Sequence, residues 1–246
     1  MNELSKEAHG VIESYLRLPI GAGAVTPYFN NRRAKIRAGL RALIGKGSPK
    51  EIADEARIIA LREKVDVKSL DSATLKRFLV DKGLGIDCSG FAYHVLDAES
   101  RVRNSKPLKS YLALKLSPLR SLLARLRTAE QVSVAVLARD DNSSPVRAKD
   151  AQPGDIVTLL NPEYNHVLVI ESSEKTDKNI VLRYVHSYAW PHEGVYGHGV
   201  RRGTITLAGD DIMRGIWDES GTPVDFEKIR HIERAEIRRL RAFQKR

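Results

Sequence analysis

Near residue 130 the hydrophobic period of this 246-residue chain changes, and the change dictates the class of fold. Before it, apolar residues recur at helical spacing: Ile36, Leu40, Leu43 and Ile44 form one stripe, and Leu112, Leu116, Leu119, Leu123 and Leu126 another. Ser48, Pro49 and Glu51 make a start signal, because the serine can cap, the proline suits the first helical position and the glutamate can close a capping box. The pattern predicts helices over about 49–64 and 71–82, the second stopping at Gly83 and Gly85. A third starts near Cys88 and runs through FAYHVLDAE, and a basic one covers about 107–127. After residue 130 the chain reads VSVAVLA, DIVTLL, HVLVIES, NIVLRYVHSY and GVRRGTITLA, short runs rich in Val, Ile, Leu and Thr. Turn signals separate them (DDNSSP, QPGD, NPEYN, SEKTDKN, PHEG), which suggests an antiparallel sheet. Residues 139–150 carry the weakest signal and read as a loop. Helix is expected again near 209–217 and from about 224 to 246. Helices first and a meander later is an α+β pattern.

Charge is distributed unevenly. There are 41 Lys and Arg against 31 Asp and Glu, a net charge of +10. Residues 32–50 hold seven bases and no acid, residues 101–127 eight bases and no acid, and residues 226–246 eight bases against three acids. Such blocks are either solvated helix faces or a surface for a polyanion: nucleic acid, anionic lipid or a wall polymer. No secretory signal is visible after Met1, so the chain reads as cytoplasmic, with release to a cell wall by another route left open. No apolar run is long enough to cross a bilayer. The sequence leaves the oligomeric state open.

Cys88 is the single cysteine, which excludes internal disulfides and any cluster of thiolates. In KGLGIDCSGFAYHVL it falls at the first turn of a helix, where unpaired N–H groups and the helix dipole favour a thiolate. A core cysteine belongs on the apolar stripe of a helix, not between Asp87 and Ser89 at its start. A thiol nucleophile needs a base, and the base needs an orienting group. His166 opens one strand-like run and His186 ends the next. If these strands pair across the SEKTDKN turn, the two histidines meet at one edge of the sheet. Taken singly, each histidine is more simply structural.

DCSGF before an apolar helix, then QPGDIVTL, HVLVIE and a strand ending in YVHSY, resembles the NlpC-type cell-wall cysteine peptidases. LRTAEQ at 126–131 resembles that family's segment between the cysteine helix and the sheet. The specific part covers roughly residues 84–96 and 126–190. The resemblance implies a papain-like fold, in which a cysteine-bearing helix packs on a small antiparallel sheet. It implies a triad of Cys88 as nucleophile, His166 as base and His186 as orienting group, without metal or cofactor. Asp87 and Ser89 match positions that help bind substrate, the Asp by pairing with a free amino group of a peptidoglycan stem peptide. As a bottom-up alternative, Asp87 is equally suited to capping the helix. Tyr28, in YLRLPIGAGAVTPYFNN, matches the family's active-site tyrosine, but lies some 60 residues upstream of Cys88 rather than about a dozen. The whole chain then reads as one catalytic domain, with core about 1–30 and 83–220. Basic helical insertions span about 32–80 and 100–125, and a basic helix ends the chain at about 224–246.

His186, His192, His198 and Glu193 lack the spacing of a metal site, and GAGAV at 21–25 lacks the context of a dinucleotide loop. The expectation is a thiol hydrolase that cuts an amide in peptidoglycan stem peptides or muropeptides. The alternatives are an amidase or acyltransferase on the same fold, or a binding module in which the basic helices hold a polyanion.

Overall fold

The computed structural model describes residues 3–30, 40–114, 127–163, 165–176, 178–219, 222–225 and 231–244. It is an α+β protein. Helices α1 (Lys6–Leu16), α2 (Pro49–Glu63), α3 (Ser72–Asp81) and α4 (Cys88–Asn104) precede the sheet. The short helices α5 (Thr128–Gln131) and α6 (Val134–Ala138) lead into it. The strands are β1 (Ser143–Pro145), β2 (Ile156–Leu160), β3 (Asn165–Lys175), β4 (Ile180–Tyr188), β5 (Gly199–Leu207), β6 (Ile216–Glu219), β7 (Thr222–Val224) and β8 (Arg234–Leu240). A one-turn helix, α7 (Gly194–Gly197), joins β4 to β5. Among the described residues these strands form one antiparallel sheet in the order β1-β8-β2-β3-β4-β5-β6-β7.

The helices start where their caps dictate. Ser48 and Glu51 form the expected capping box of α2, with Pro49 at its first position. Asp71 caps α3 and Asp87 caps α4, each carboxylate accepting from an N–H of the first turn. Past the end of α3, Gly83 takes a left-handed φ of 64°, which glycine adopts without a Cβ clash.

The central strands are apolar on both faces. Val167, Val169, Val185 and Ile156 pack with Phe91, Val95 and Leu96 of α4 and with Ile12 and Tyr15 of α1. The other face holds Leu168, Ile170, Leu182, Tyr184, Ile205 and Trp217 in a second core, closed over by Ala148, Ala151, Ile212 and Ile232. Each fully buried aliphatic or aromatic side chain contributes about 1.5–3 kcal/mol by leaving water.

Several sequence expectations are corrected. VSVAVLA is not a strand: Ser133 accepts from the Val136 N–H and caps the short helix α6, which buries Val134 and Leu137 one turn apart. Packing of that pair overrides the β preference of valine. Residues 209–217 form a single 3-10 turn, Ile212–Arg214, capped by Asp211, before β6 pairs with β5. Among the described residues of 224–246 the expected basic helix is absent. β8 occupies that region between β1 and β2, and a 3-10 turn, Arg241–Phe243, follows it. Without β8 the apolar strand β2 would present an open edge, and the ladder hydrogen bonds outweigh the helix propensity of RAEIRRL. Residues 139–150 are not merely a loop, since they supply β1. The basic stretch 107–127 holds one 3-10 turn, Leu108–Ser110, and residues 111–114 are not helical. The remainder of that expectation, at 115–126, lies outside the described residues, as do residues 32–39 of the first basic block. No helix of the described residues is long and apolar enough to cross a membrane.

Candidate functional site

Cys88 sits at the first position of α4, as its sequence context requires, and its free thiol is buried. The β3–β4 ladder begins at Val169↔Val185, so the ends that carry His166 and His186 lie beyond the paired region. The start of α4 fits against those ends. The backbone of Val167 lies beside the Cys88 thiol, and Ser187 Oγ donates to the Ile86 carbonyl at 2.8 Å. The residues next to both histidines therefore clasp the cysteine segment.

The two histidines meet as expected. His166 Nε2 and His186 Nδ1 are 2.8 Å apart, and both rings are buried. Tyr188 lies edge-on to His166 with ring centroids 4.7 Å apart and stacks on His186 at 5.3 Å. Behind them stands a residue the sequence did not reveal. His186 Nε2 lies 2.9 Å from Glu219 Oε1. Tyr184 OH donates to the same carboxylate at 2.9 Å and Trp190 Nε1 at 2.7 Å. Burial pushes the Glu219 carboxyl up, but the His186 ring and these hydrogen bonds outweigh it and hold the group below its ordinary value. Glu219 escaped the sequence reading because it falls between the helices expected near 209–217 and from about 224, and nothing in IWDE distinguishes it from a surface acid.

An ionised Glu219 accepts only, and this orders the ring protons. Facing it, His186 carries its proton on Nε2, so its Nδ1 is a lone pair. That lone pair accepts from His166 Nε2–H. In this arrangement His166 carries no proton on Nδ1, the state a general base requires. The tautomers are thus assigned from the hydrogen-bond partners.

The opposite flank of Cys88 is ionic. Asp87 Oδ1 accepts from the Gly90 N–H at 2.6 Å, which confirms the capping role, and from Ser89 Oγ at 3.0 Å. Lys46 Nζ lies 2.9 Å from Asp87, 2.6 Å from Ser89 Oγ and 2.8 Å from the Val132 carbonyl. Lys46 was read as part of an inserted region, and a lysine in GKG carries no signal of burial. Its segment crosses the first turn of α4 closely. A Cβ on Gly90 would come within 2.7 Å of the Gly45 carbonyl, so the glycine of DCSG is required by this approach. The Asp87 N–H donates to the Gly45 carbonyl, His94 Nε2 lies 3.0 Å from the Lys46 carbonyl, and Tyr15 OH donates to the Gly47 carbonyl.

Burial and the neighbouring Asp87 carboxylate push the Cys88 thiol up to about 12, against Lys46 and the N–H groups of Val167 and Ser89. The expectation of a resting thiolate at the helix start is therefore corrected. The thiol is neutral, because loss of solvent outweighs the positive groups around it.

Tyr28 is bridged to Ile86 along the backbone, two residues before Cys88, and its hydroxyl accepts from Asn30 Nδ2 at 3.1 Å. The distance in sequence is thus closed in space. The Pro153-Gly154-Asp155 turn serves the fold: Asp155 receives two hydrogen bonds of 2.8 Å from Arg239 of β8. Glu193, drawn into a metal site on paper, instead receives two hydrogen bonds from Arg201. No cluster of three or more metal-ligating side chains is found among the described residues. Comparison of the chain with protein-family models, curated proteins and solved structures returned no match.

Proposed function

We propose that the protein is a thiol hydrolase of the NlpC-type, papain-like kind, cleaving an amide in peptidoglycan stem peptides. One observation carries this reading: a buried series of close polar contacts runs from His166 through His186 to Glu219, beside a cysteine at a helix N-terminus. In this reading His166 Nδ1 takes the Cys88 thiol proton as the sulfur attacks the substrate carbonyl carbon. The Cys88 backbone N–H, which has no intrahelical acceptor at the first helical position, receives the oxyanion. His166 then gives its proton to the departing amine, leaving a thioester on Cys88. Water, deprotonated by His166, releases the acid and restores the thiol. His186 and Glu219 stabilise the imidazolium that forms midway. Because the resting thiol is neutral, proton transfer and attack are coupled to substrate binding.

The test is digestion of purified muropeptides by wild type and by Cys88→Ala, with products identified by mass. Cleavage by the wild type alone is expected. Intact stem peptides after wild-type treatment would sink the reading.

Among the described residues of the basic blocks, several bases are paired internally, which counts against the polyanion-binding alternative. Arg41 pairs with Glu51, Arg103 with Glu99, Arg127 with Glu130, and Arg239 with Asp155. A flat salt dependence of binding to DNA, anionic vesicles and wall polymer would remove it.

A further inference from the structure

Lys46 has all three of its N–H bonds committed in a buried site, one residue to either side of Cys88 and across to Val132. A carboxylate and a hydroxyl placed together beside a nucleophile form a cation site. Here the cation is the chain's own. Its segment is built in rather than draped: Gly45, Lys46 and Gly47 are each tied by a carbonyl to α4 or its cap, or to α1. The Lys46 side chain is 10% exposed and that of Asp87 15%, so the pair is shielded from solvent competition. A second ammonium arriving at this spot would have to expel Lys46 and leave it buried without a partner.

We infer that Lys46 permanently fills the cation site of Asp87 and Ser89, so that the substrate bears no free amino group beside the scissile bond. This rests on the hydrolase reading above and names its substrate class: stem peptides whose amino end is acylated, as in a stem still joined by an amide to its sugar. It departs from the expectation that Asp87 pairs with a substrate amine. The Lys46–Asp87 pair, with no net charge, leaves Cys88 flanked by a surface suited to a neutral amide.

Three measurements test this. Wild-type enzyme is given L-alanyl-γ-D-glutamyl-lysine and its form acetylated at the alanine nitrogen. The acetylated peptide should be favoured by at least about tenfold in kcat/KM, the worth of one charge-assisted contact. A free-amine peptide cut as fast or faster overturns the inference. The second readout needs no hydrolysis. In wild type labelled with an amine-reactive reagent and mapped by mass, Lys46 should be among the last lysines modified. Early labelling of Lys46 overturns the filled site. The third uses Lys46→Ala, in which preference should move toward the free-amine peptide by about tenfold or more. Ethylammonium should change the Cys88 alkylation rate of that variant saturably and leave wild type unaffected. Absence of a saturable response overturns the cation site. If neither peptide is cut, the hydrolase reading fails, while labelling and alkylation still decide whether Lys46 fills a cation site.

Discussion

The two flanks of Cys88 each hold one buried carboxylate and use it in opposite ways. On one side Asp87 faces Lys46, an ammonium that has spent every hydrogen on fixed acceptors. On the other side Glu219 faces His186, a ring that can gain and lose a proton. The first arrangement is a lock: it positions the helix start and holds two opposite charges together away from water. In the proposed mechanism the second is a relay, whose charge stabilises the proton that arrives at His166. The partner, not the carboxylate, decides which of these a buried acid becomes.

Substitutions on the relay side should lower turnover with little change in fold, and those on the lock side should lower stability. The largest effect is expected at His166, where His166→Ala should reduce kcat by about 10²–10⁴-fold, the usual contribution of a general base. Steady-state kinetics beside a thermal melt will read both quantities; a loss of activity matched by loss of fold would blur the distinction between the flanks.

Cys88 alkylation comes next. With its thiol pushed from 9.0 up to about 12, the resting protein should react with iodoacetamide at least about 10²-fold more slowly than a small thiol near pH 8. A rate equal to or above that of the small thiol would restore the resting thiolate. The same raised value means that folding favours the neutral thiol. That stability is complete below about pH 9 and is lost as pH rises toward 12, so the alkaline drop in Tm should shrink in Cys88→Ala.

On the lock side, Asp87→Ala removes the cap of α4 and leaves Lys46 buried without its countercharge, an expected loss of about 3–5 kcal/mol in denaturant unfolding. Adding Lys46→Met should recover most of that loss, because the lone charge goes with it. Failure of the double variant to recover would mean that Asp87 acts through the cap alone.

The smallest effect is expected at Glu219. Glu219→Gln keeps the shape but not the charge, and should cost about 1–3 kcal/mol of stability and roughly tenfold in kcat. Its carboxyl is held below the ordinary 4.5, so this stability is present above that value and lost as pH falls through the lower folded value. The gap in Tm between wild type and Glu219→Gln should therefore close in acid. A gap that persists unchanged well below pH 4 would show that Glu219 acts by packing and not by charge.

The parts of the fold visible in the sequence are those governed by neighbours in the chain. The capping box of α2, the cap and start of α4, and the strands β2 to β5 follow from residues a few positions apart, where backbone hydrogen bonds and side-chain period act directly. β8 was invisible for the complementary reason. RAEIRRL favours a helix in isolation, and only pairing with β1 and β2, together with buried partners for Arg238 and Arg239, makes it a strand. α6 shows the same override on a smaller scale.

The candidate site divides along the same line. Cys88, His166 and His186 were marked by type, order and local context, because a nucleophile at a helix start and histidines at strand ends leave a local trace. Lys46 and Glu219 leave none. Lys46 is 41 residues from Asp87 and 86 from Val132, and Glu219 is 35 from Tyr184. Whether a lysine or a glutamate is a solvated surface charge or a buried partner depends on which groups surround it after folding. The sequence by itself determined the candidate reactive groups and their order along the chain. The tertiary structure alone decided which charges face them, and so which flank holds and which can pass a proton, because electrostatic coupling depends on distance and burial, neither of which separation along the chain specifies.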